Sequence, residues 1–103
     1  MNKILIIIFT LLVLLSCGEY QKVLKSTDYQ YKYAKAVSYY ELEDYNKALP
    51  LFDELSRILR GTIKMEKVSY YLAYCHYANG ENLISAYLFK KFSQNYPSSK
   101  YVE

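Results

Sequence analysis

The chain has 103 residues, a formal net charge of +3, 14 tyrosines and a hydrophobic fraction of 52%. That length allows one small folded domain and excludes a two-domain enzyme, while only three Gly and two Pro exclude a flexible linker. The charges alternate in sign, as in Lys64-Met65-Glu66-Lys67, and form no clustered basic face, so nucleic acid is not an expected partner.

The N-terminus reads as an address. Asn2 and Lys3 form a short positive region, and Ile4 to Leu15 is an apolar run broken only by Thr10. A bilayer core of roughly 30 Å requires about 20 apolar residues in a spanning helix, so this run fits a signal-peptide core better than an anchor. It ends Leu14-Leu15-Ser16-Cys17, which resembles the bacterial lipobox, the motif whose cysteine receives a diacylglyceryl thioether. Residues 1–16 are therefore expected to be a lipoprotein signal peptide and Cys17 the lipidation site. Loss of Lys3 lowers the net charge to +2. Three acyl chains would make attachment effectively permanent, since each buried methylene contributes about 0.8 kcal/mol. Gly18-Glu19 lacks the aspartate that resembles an inner-membrane retention signal, which points to the outer membrane, and no acidic run of the kind associated with surface export follows Cys17, which points to its periplasmic face. With Cys17 carrying lipid, Cys75 has no partner for an intramolecular disulfide and is expected to be buried and inert.

Residues 17–27 read as the lipidated cysteine and an uncommitted tether. Beyond them the pattern is all-helical. Asp28 caps a first helix to about Leu42, with Tyr33, Ala36, Val37 and Tyr40 on one face. A second helix carries Ala48, Leu51, Phe52, Leu55 and Leu59 and ends near Arg60-Gly61, with Gly61 at C′. Asn46 is the expected cap, which leaves Pro50 in the first turn; a cap at Asp44 would put the proline where it clashes. A third helix runs from about Ile63 to Asn79 with Val68, Tyr71, Leu72 and Cys75 on one side, closed by Gly80. A fourth runs from about Asn82 to Tyr96 with Leu83, Ala86, Phe89 and Phe92, stopped by Pro97, after which Ser98-Ser99 offers a further cap.

Two hairpins suggest a repeat. Ala36, Tyr39, Tyr45, Ala48 and Phe52 resemble the tetratricopeptide pattern, in which small residues let paired helices approach and large ones fill the gap to the next repeat. The second hairpin aligns 38 residues on, Ala86 opposite Ala48 and Tyr77 opposite Tyr39, with Tyr74 and Lys90 departing from the pattern. The expected fold is thus all-α, a short right-handed superhelix of stacked hairpins at about 28–61 and 62–97, with a third beginning at 98–103. A plain antiparallel bundle is the competing arrangement.

A lipobox followed by such hairpins, together with the stretches Tyr45-Asn46-Lys47-Ala48-Leu49-Pro50-Leu51-Phe52, Tyr70-Tyr71-Leu72-Ala73-Tyr74-Cys75-His76-Tyr77 and Phe92-Ser93-Gln94-Asn95-Tyr96-Pro97-Ser98-Ser99, resembles the start of the BamD family. The resemblance implies a lipid-anchored subunit of the complex that inserts β-barrel proteins into the outer membrane. Its implied partners are the barrel-forming subunit, other assembly lipoproteins and unfolded outer-membrane proteins, with no cofactor beyond the covalent lipid on Cys17. Family members carry more repeats than the two here, so a fragment is expected, limited to the substrate-receiving role of the N-terminal repeats. In the family's repeat the first helix of each hairpin lines the concave face, which puts Tyr33, Val37, Tyr40, Glu41 and Tyr71 in a peptide-binding groove, with Val68 and Cys75 on the same side. Tyrosine suits such a surface, combining apolar area, a hydroxyl and few rotors. Tyr39, Tyr45, Tyr74 and Tyr77 are assigned to packing.

Catalysis is not expected. The single imidazole, His76, has no serine or second thiol in a readable relay, no metal site can be assembled, and Glu41, Glu43 and Asp44 crowd a turn where capping explains them. The alternatives to barrel assembly are other periplasmic tetratricopeptide proteins, a pilotin-like lipoprotein for pili or secretins, or a Tol–Pal coordinator. The lipobox counts against the coordinator.

Overall fold

The computed structural model describes the backbone of residues 2–102 and the side chains of these residues other than 12–17, so the Cys17 thiol lies outside the described residues. Among the described residues five helices follow one another: α1 (Asn2–Lys25), α2 (Tyr29–Glu41), α3 (Tyr45–Ile58), α4 (Lys64–Ala78) and α5 (Asn82–Asn95). No strand occurs among the described residues, and each helix packs on the next. The molecule measures 59 × 29 × 19 Å because the first half of α1 projects from the rest. Nothing covers its side chains from Ile4 to Phe9, which are 49–69% exposed. Among the described residues no helix is long and apolar enough to cross a membrane.

The core joins four helices through Val23, Ala36, Ala48, Leu51, Phe52, Leu55, Val68, Leu72 and Cys75. Val23 lies in the segment expected to be a tether. Gly18–Lys25 instead continues α1, and its apolar residues Tyr20, Val23 and Leu24 fall three and four apart, one helical face that packs on α2 and α3. The Tyr20 hydroxyl donates to the Lys47 carbonyl at 2.9 Å and its ring meets Tyr39 edge-on at 5.6 Å. Burying Val23 and half-burying two larger apolar side chains outweighs the cost of ordering this short segment.

Asp28 caps α2 as its sequence position suggests, its carboxylate accepting from the Tyr31 amide at 3.2 Å. The α2–α3 turn differs from expectation. Asp44, not Asn46, is the cap of α3, so Pro50 lies inside the helix. The cause is the end of α2: Glu43 adopts φ +61°, its amide bonds the Tyr40 carbonyl at 3.0 Å, and the Asp44 amide bonds the Tyr39 carbonyl at 2.9 Å. These are the paired bonds of a Schellman motif, and they deliver the chain straight into α3 at Asp44. Pro50 and Asn46, whose carbonyl loses its intrahelical donor, lie outside the core, both only partly buried, so that carbonyl is not enclosed by it.

The α4–α5 turn repeats that geometry 37 residues later. Gly80 has φ +80°, its amide bonds Tyr77 at 3.0 Å, and the Glu81 amide bonds His76 at 2.9 Å. The matching turns are thus 37 residues apart, where the sequence alignment expects 38. At that spacing Ala36 corresponds to Ala73 and Ala48 to Ser85, all four buried, and Phe52 corresponds to Phe89. A 38-residue register puts Tyr74 and Lys90 in those places. Leu83 and Ala86, which apolar spacing groups with Phe89 and Phe92, are exposed, Leu83 at 90%, and the packed face of α5 is Ser85, Leu88, Phe89 and Phe92. Gly61 has φ +80° but lies one residue beyond C′, because α3 reaches its cap at Leu59. After α5 the chain turns at Ser99 and brings Tyr101 back to stack on Tyr70 at 4.4 Å.

Candidate functional site

Helices α2 and α4 meet through aromatic rings. Tyr40 lies flat on Tyr71, centroids 3.8 Å apart and planes 6° apart, and the edge of Phe52 closes on both, at 6.2 and 5.7 Å. Tyr45 and Tyr74 close on Tyr40 at 5.6 and 5.8 Å. Enclosure by these rings raises the Tyr40 hydroxyl well above the ordinary phenol value, burial acting first and the neighbouring phenols of Tyr70 and Tyr71 next. Tyr71 is raised in the same way, by burial and then by Tyr101 and Glu41. Both hydroxyls stay neutral across physiological pH.

The residues expected to line a groove thus fall into three environments. Tyr40 and Tyr71 are brought together, and each covers one face of the other. Tyr33 and Val37 are half-buried against the core, with the Lys64 ammonium 4.9 Å from the Tyr33 ring, a cation–π contact of about 0.5–1 kcal/mol. Glu41 is exposed. Val68 and Cys75, expected on the same side, are wholly buried in the core and present nothing to a ligand. Burial pushes the Cys75 thiol up to about 12, so it carries no thiolate near neutrality. Tyr77, assigned to packing, is 57% exposed, because it lies at the end of α4 beyond the cover of α5. His76 is half-buried, its Nδ1 3.4 Å from a Glu81 carboxylate oxygen without hydrogen-bond geometry. Among the described residues no group of His, Cys, Asp and Glu is placed to hold a metal ion.

Two features carried no obvious sequence signal. The first is an ion pair whose lysine is buried and whose carboxylate, Glu54, is 35% exposed. Lys32, 1% exposed, reaches from α2 to donate to the Glu54 carboxylate of α3 at 2.7 Å and to the Leu24 carbonyl at 2.9 Å. That carbonyl belongs to the last turn of α1, where the helix leaves acceptors unsatisfied and favours a cation. A lysine on the inner face of a helix reads as a break in periodicity, and only the structure supplies its partners. The second is a cleft of about 390 Å³ between the end of α3, α4 and α5. Its floor is Leu72, Leu88 and Phe92, with Met65 beside them, and Arg60 and Lys91 line it from α3–α4 and α5.

No family model, curated protein or solved structure matches this chain. Function therefore rests on the residues and their geometry alone.

Proposed function

We propose that this protein is a lipid-anchored scaffold subunit of the outer-membrane β-barrel assembly complex, held by Cys17 at the periplasmic face. In this reading the helices form tetratricopeptide-like hairpins of a right-handed superhelix. The aromatic side of α2 and α4 receives unfolded barrel segments, and the rest of the scaffold meets the barrel-forming subunit and other assembly lipoproteins. The observation that carries the reading is the recurrence of one turn geometry and one set of buried small residues at a 37-residue spacing, Glu43 with Gly80, Ala36 with Ala73 and Ala48 with Ser85. Stacked repeats of this kind act by presenting an extended surface to other polypeptides and do no chemistry of their own. The Leu14-Leu15-Ser16-Cys17 sequence supports the anchor. Half-buried tyrosines, Tyr33 above all, support polypeptide contact, since their rings and hydroxyls have area left to share.

The full-length lipidated protein, isolated from membranes under mild detergent, should bring with it a large barrel protein bearing periplasmic domains. Recovery of a secretin in its place would favour the pilotin-like alternative and overturn barrel assembly. Cys17→Ala should move the protein from the membrane fraction to the soluble periplasm. Retention in the membrane would remove the lipid anchor from the reading.

A further inference from the structure

The 37-residue spacing extends beyond the turns, and it relates the buried Lys32 ion pair to the open cleft. Moving each residue of the first junction forward by 37 takes Lys32 to Ser69, Glu54 to Lys91 and Leu24 to Gly61. It takes Val23, which fills the first junction, to Arg60. All four of the resulting residues line the cleft. The same shift carries Leu51 and Leu55, the apolar floor of the first junction, to Leu88 and Phe92, the floor of the cleft.

The two places therefore share a plan and differ in three ways. The long side chain that fills the first is a serine in the second. The wall residue Val23 becomes a cation, and the anion Glu54 becomes a cation. What remains is a recess with an apolar floor, neutral polar groups at Ser56, Ser69 and Asn95, two positive groups and no carboxylate among its lining residues; neither Arg60 nor Lys91 is paired with a carboxylate among the described residues. In the first junction a charge on an apolar floor is neutralised by its opposite from within the chain. The second offers that setting with the sign reversed and the counter-charge left to come from outside. An apolar floor lowers the local dielectric and strengthens the attraction for an anion beyond its value at an open surface. A volume near 390 Å³ is that of a small-molecule site.

We propose that this cleft binds an amphiphilic carboxylate, its head held between Arg60 and Lys91 and its acyl chain lying over Leu72, Leu88 and Phe92. The guanidinium offers the carboxylate a planar fork and the ammonium a point charge, while the Ser69 hydroxyl, standing where Lys32 stands in the first junction, supplies a neutral donor. The acyl chain lies over the half-buried Leu88 and the small exposed parts of Leu72 and Phe92. The site is independent of the scaffold function proposed above and would persist if that reading failed.

The test uses the full lipidated chain in nanodiscs with a diazirine-bearing decanoate, and the matched diazirine-bearing decanol as control, both partitioning into the same bilayer. Photolysis and peptide mapping should place the decanoate label on the segments holding Met65, Leu72, Leu88 and Phe92, with at least tenfold less label from the alcohol. Lys91→Glu, a substitution at an exposed position, should reduce decanoate labelling tenfold or more while the circular dichroism melt stays unchanged; Lys91→Gln serves if that variant does not fold. Equal labelling by acid and alcohol would refute anion recognition, and labelling unaffected by either Lys91 variant would refute the site. Displacement of the probe by a free peptide carboxylate at lower concentration than by unlabelled decanoate would show a polypeptide terminus as the occupant and overturn the proposal.

Discussion

Where α1 meets the first hairpin, Lys32 fills the space between helices and is held by Glu54 and the Leu24 carbonyl; where α3 meets the second, Ser69, Lys91 and Gly61 leave a cleft. The backbone plan is shared, down to the paired hydrogen bonds of the two turns. The difference lies in side-chain length and charge. A repeated helical plan fixes where a junction will be, and a few side chains decide whether it is a locked joint or an open recess.

The sharpest way to break this comparison is to remove the anion from the locked joint. Glu54→Ala leaves the Lys32 ammonium, 1% exposed, with the Leu24 carbonyl and the Tyr29 ring 6.0 Å away, and is expected to cost about 3 kcal/mol. Lys91→Ala, at the matching place in the second hairpin, is expected to change stability by less than about 0.5 kcal/mol, since Lys91 is exposed and unpaired. Urea midpoints at constant slope report both values. Similar costs at the two positions would mean that the junctions do not differ in the way their side chains indicate. Lys32→Met is a useful companion: an apolar chain of similar length on the same floor should recover most of the loss when combined with Glu54→Ala, because the uncompensated charge is then gone.

Enlarging small residues tests the 37-residue register itself. Ala73→Leu inserts three carbons into a position with no exposed surface and is expected to cost about 2 kcal/mol. Ala86→Leu, the position that a 38-residue register would bury, lies on an exposed face and is expected to be neutral within about 0.5 kcal/mol. The reverse order would restore the 38-residue alignment.

These two sites also mark what the sequence made legible. The helices of both hairpins, the Asp28 cap and the Gly80 stop follow from apolar periodicity and from residue types whose backbone or side-chain chemistry is local. The one-residue error arose because alanines and aromatics abound on both sides of α4 and α5, so a pattern of small and large residues matches in two registers. Only the packed face distinguishes Ala73 from Tyr74. The helical form of Gly18–Lys25 had a signal, Tyr20, Val23 and Leu24 on one face, but polar neighbours obscured it. Glu43 had none, because a glutamate in the left-handed region is imposed by the fold around it. As for the site, the meeting of Tyr40 with Tyr71 follows from their places on the first helix of each hairpin. The Lys32 ion pair and the cleft depend on residues that are distant in the chain and become neighbours only when α1, α2 and α3, or α3, α4 and α5, are assembled.

The turns offer a smaller and opposite pair of effects. Glu43 holds φ +61° at a position that favours glycine, and Gly80 holds φ +80° at the matching one. Glu43→Gly should relieve about 1 kcal/mol of backbone strain and raise the melting temperature, whereas Gly80→Ala should cost about the same. A Glu43→Gly variant no more stable than the parent would show that Glu43 makes compensating contacts of its own.

The smallest effect is also the most pointed, because it transfers the locked joint into the open one. Ser69→Lys together with Lys91→Glu places the Lys32 and Glu54 residue types in the second hairpin, over Leu88 and Phe92 where the first has Leu51 and Leu55. An ion pair formed there replaces water in the recess but must also order two long side chains, so the expected gain is at most about 1 kcal/mol. Neither single change should match it: Ser69→Lys alone adds a third cation beside Arg60 and Lys91, and Lys91→Glu alone leaves the recess unfilled. A double-mutant cycle separates the pair energy from these costs, and a favourable coupling of 0.5 kcal/mol or more at low salt is the expected result. Zero coupling would mean that Gly61, which stands where the Leu24 carbonyl accepts from Lys32, leaves α3 too early for its carbonyl to complete the joint. The backbone at the end of α3, and not charge alone, would then keep the second junction open.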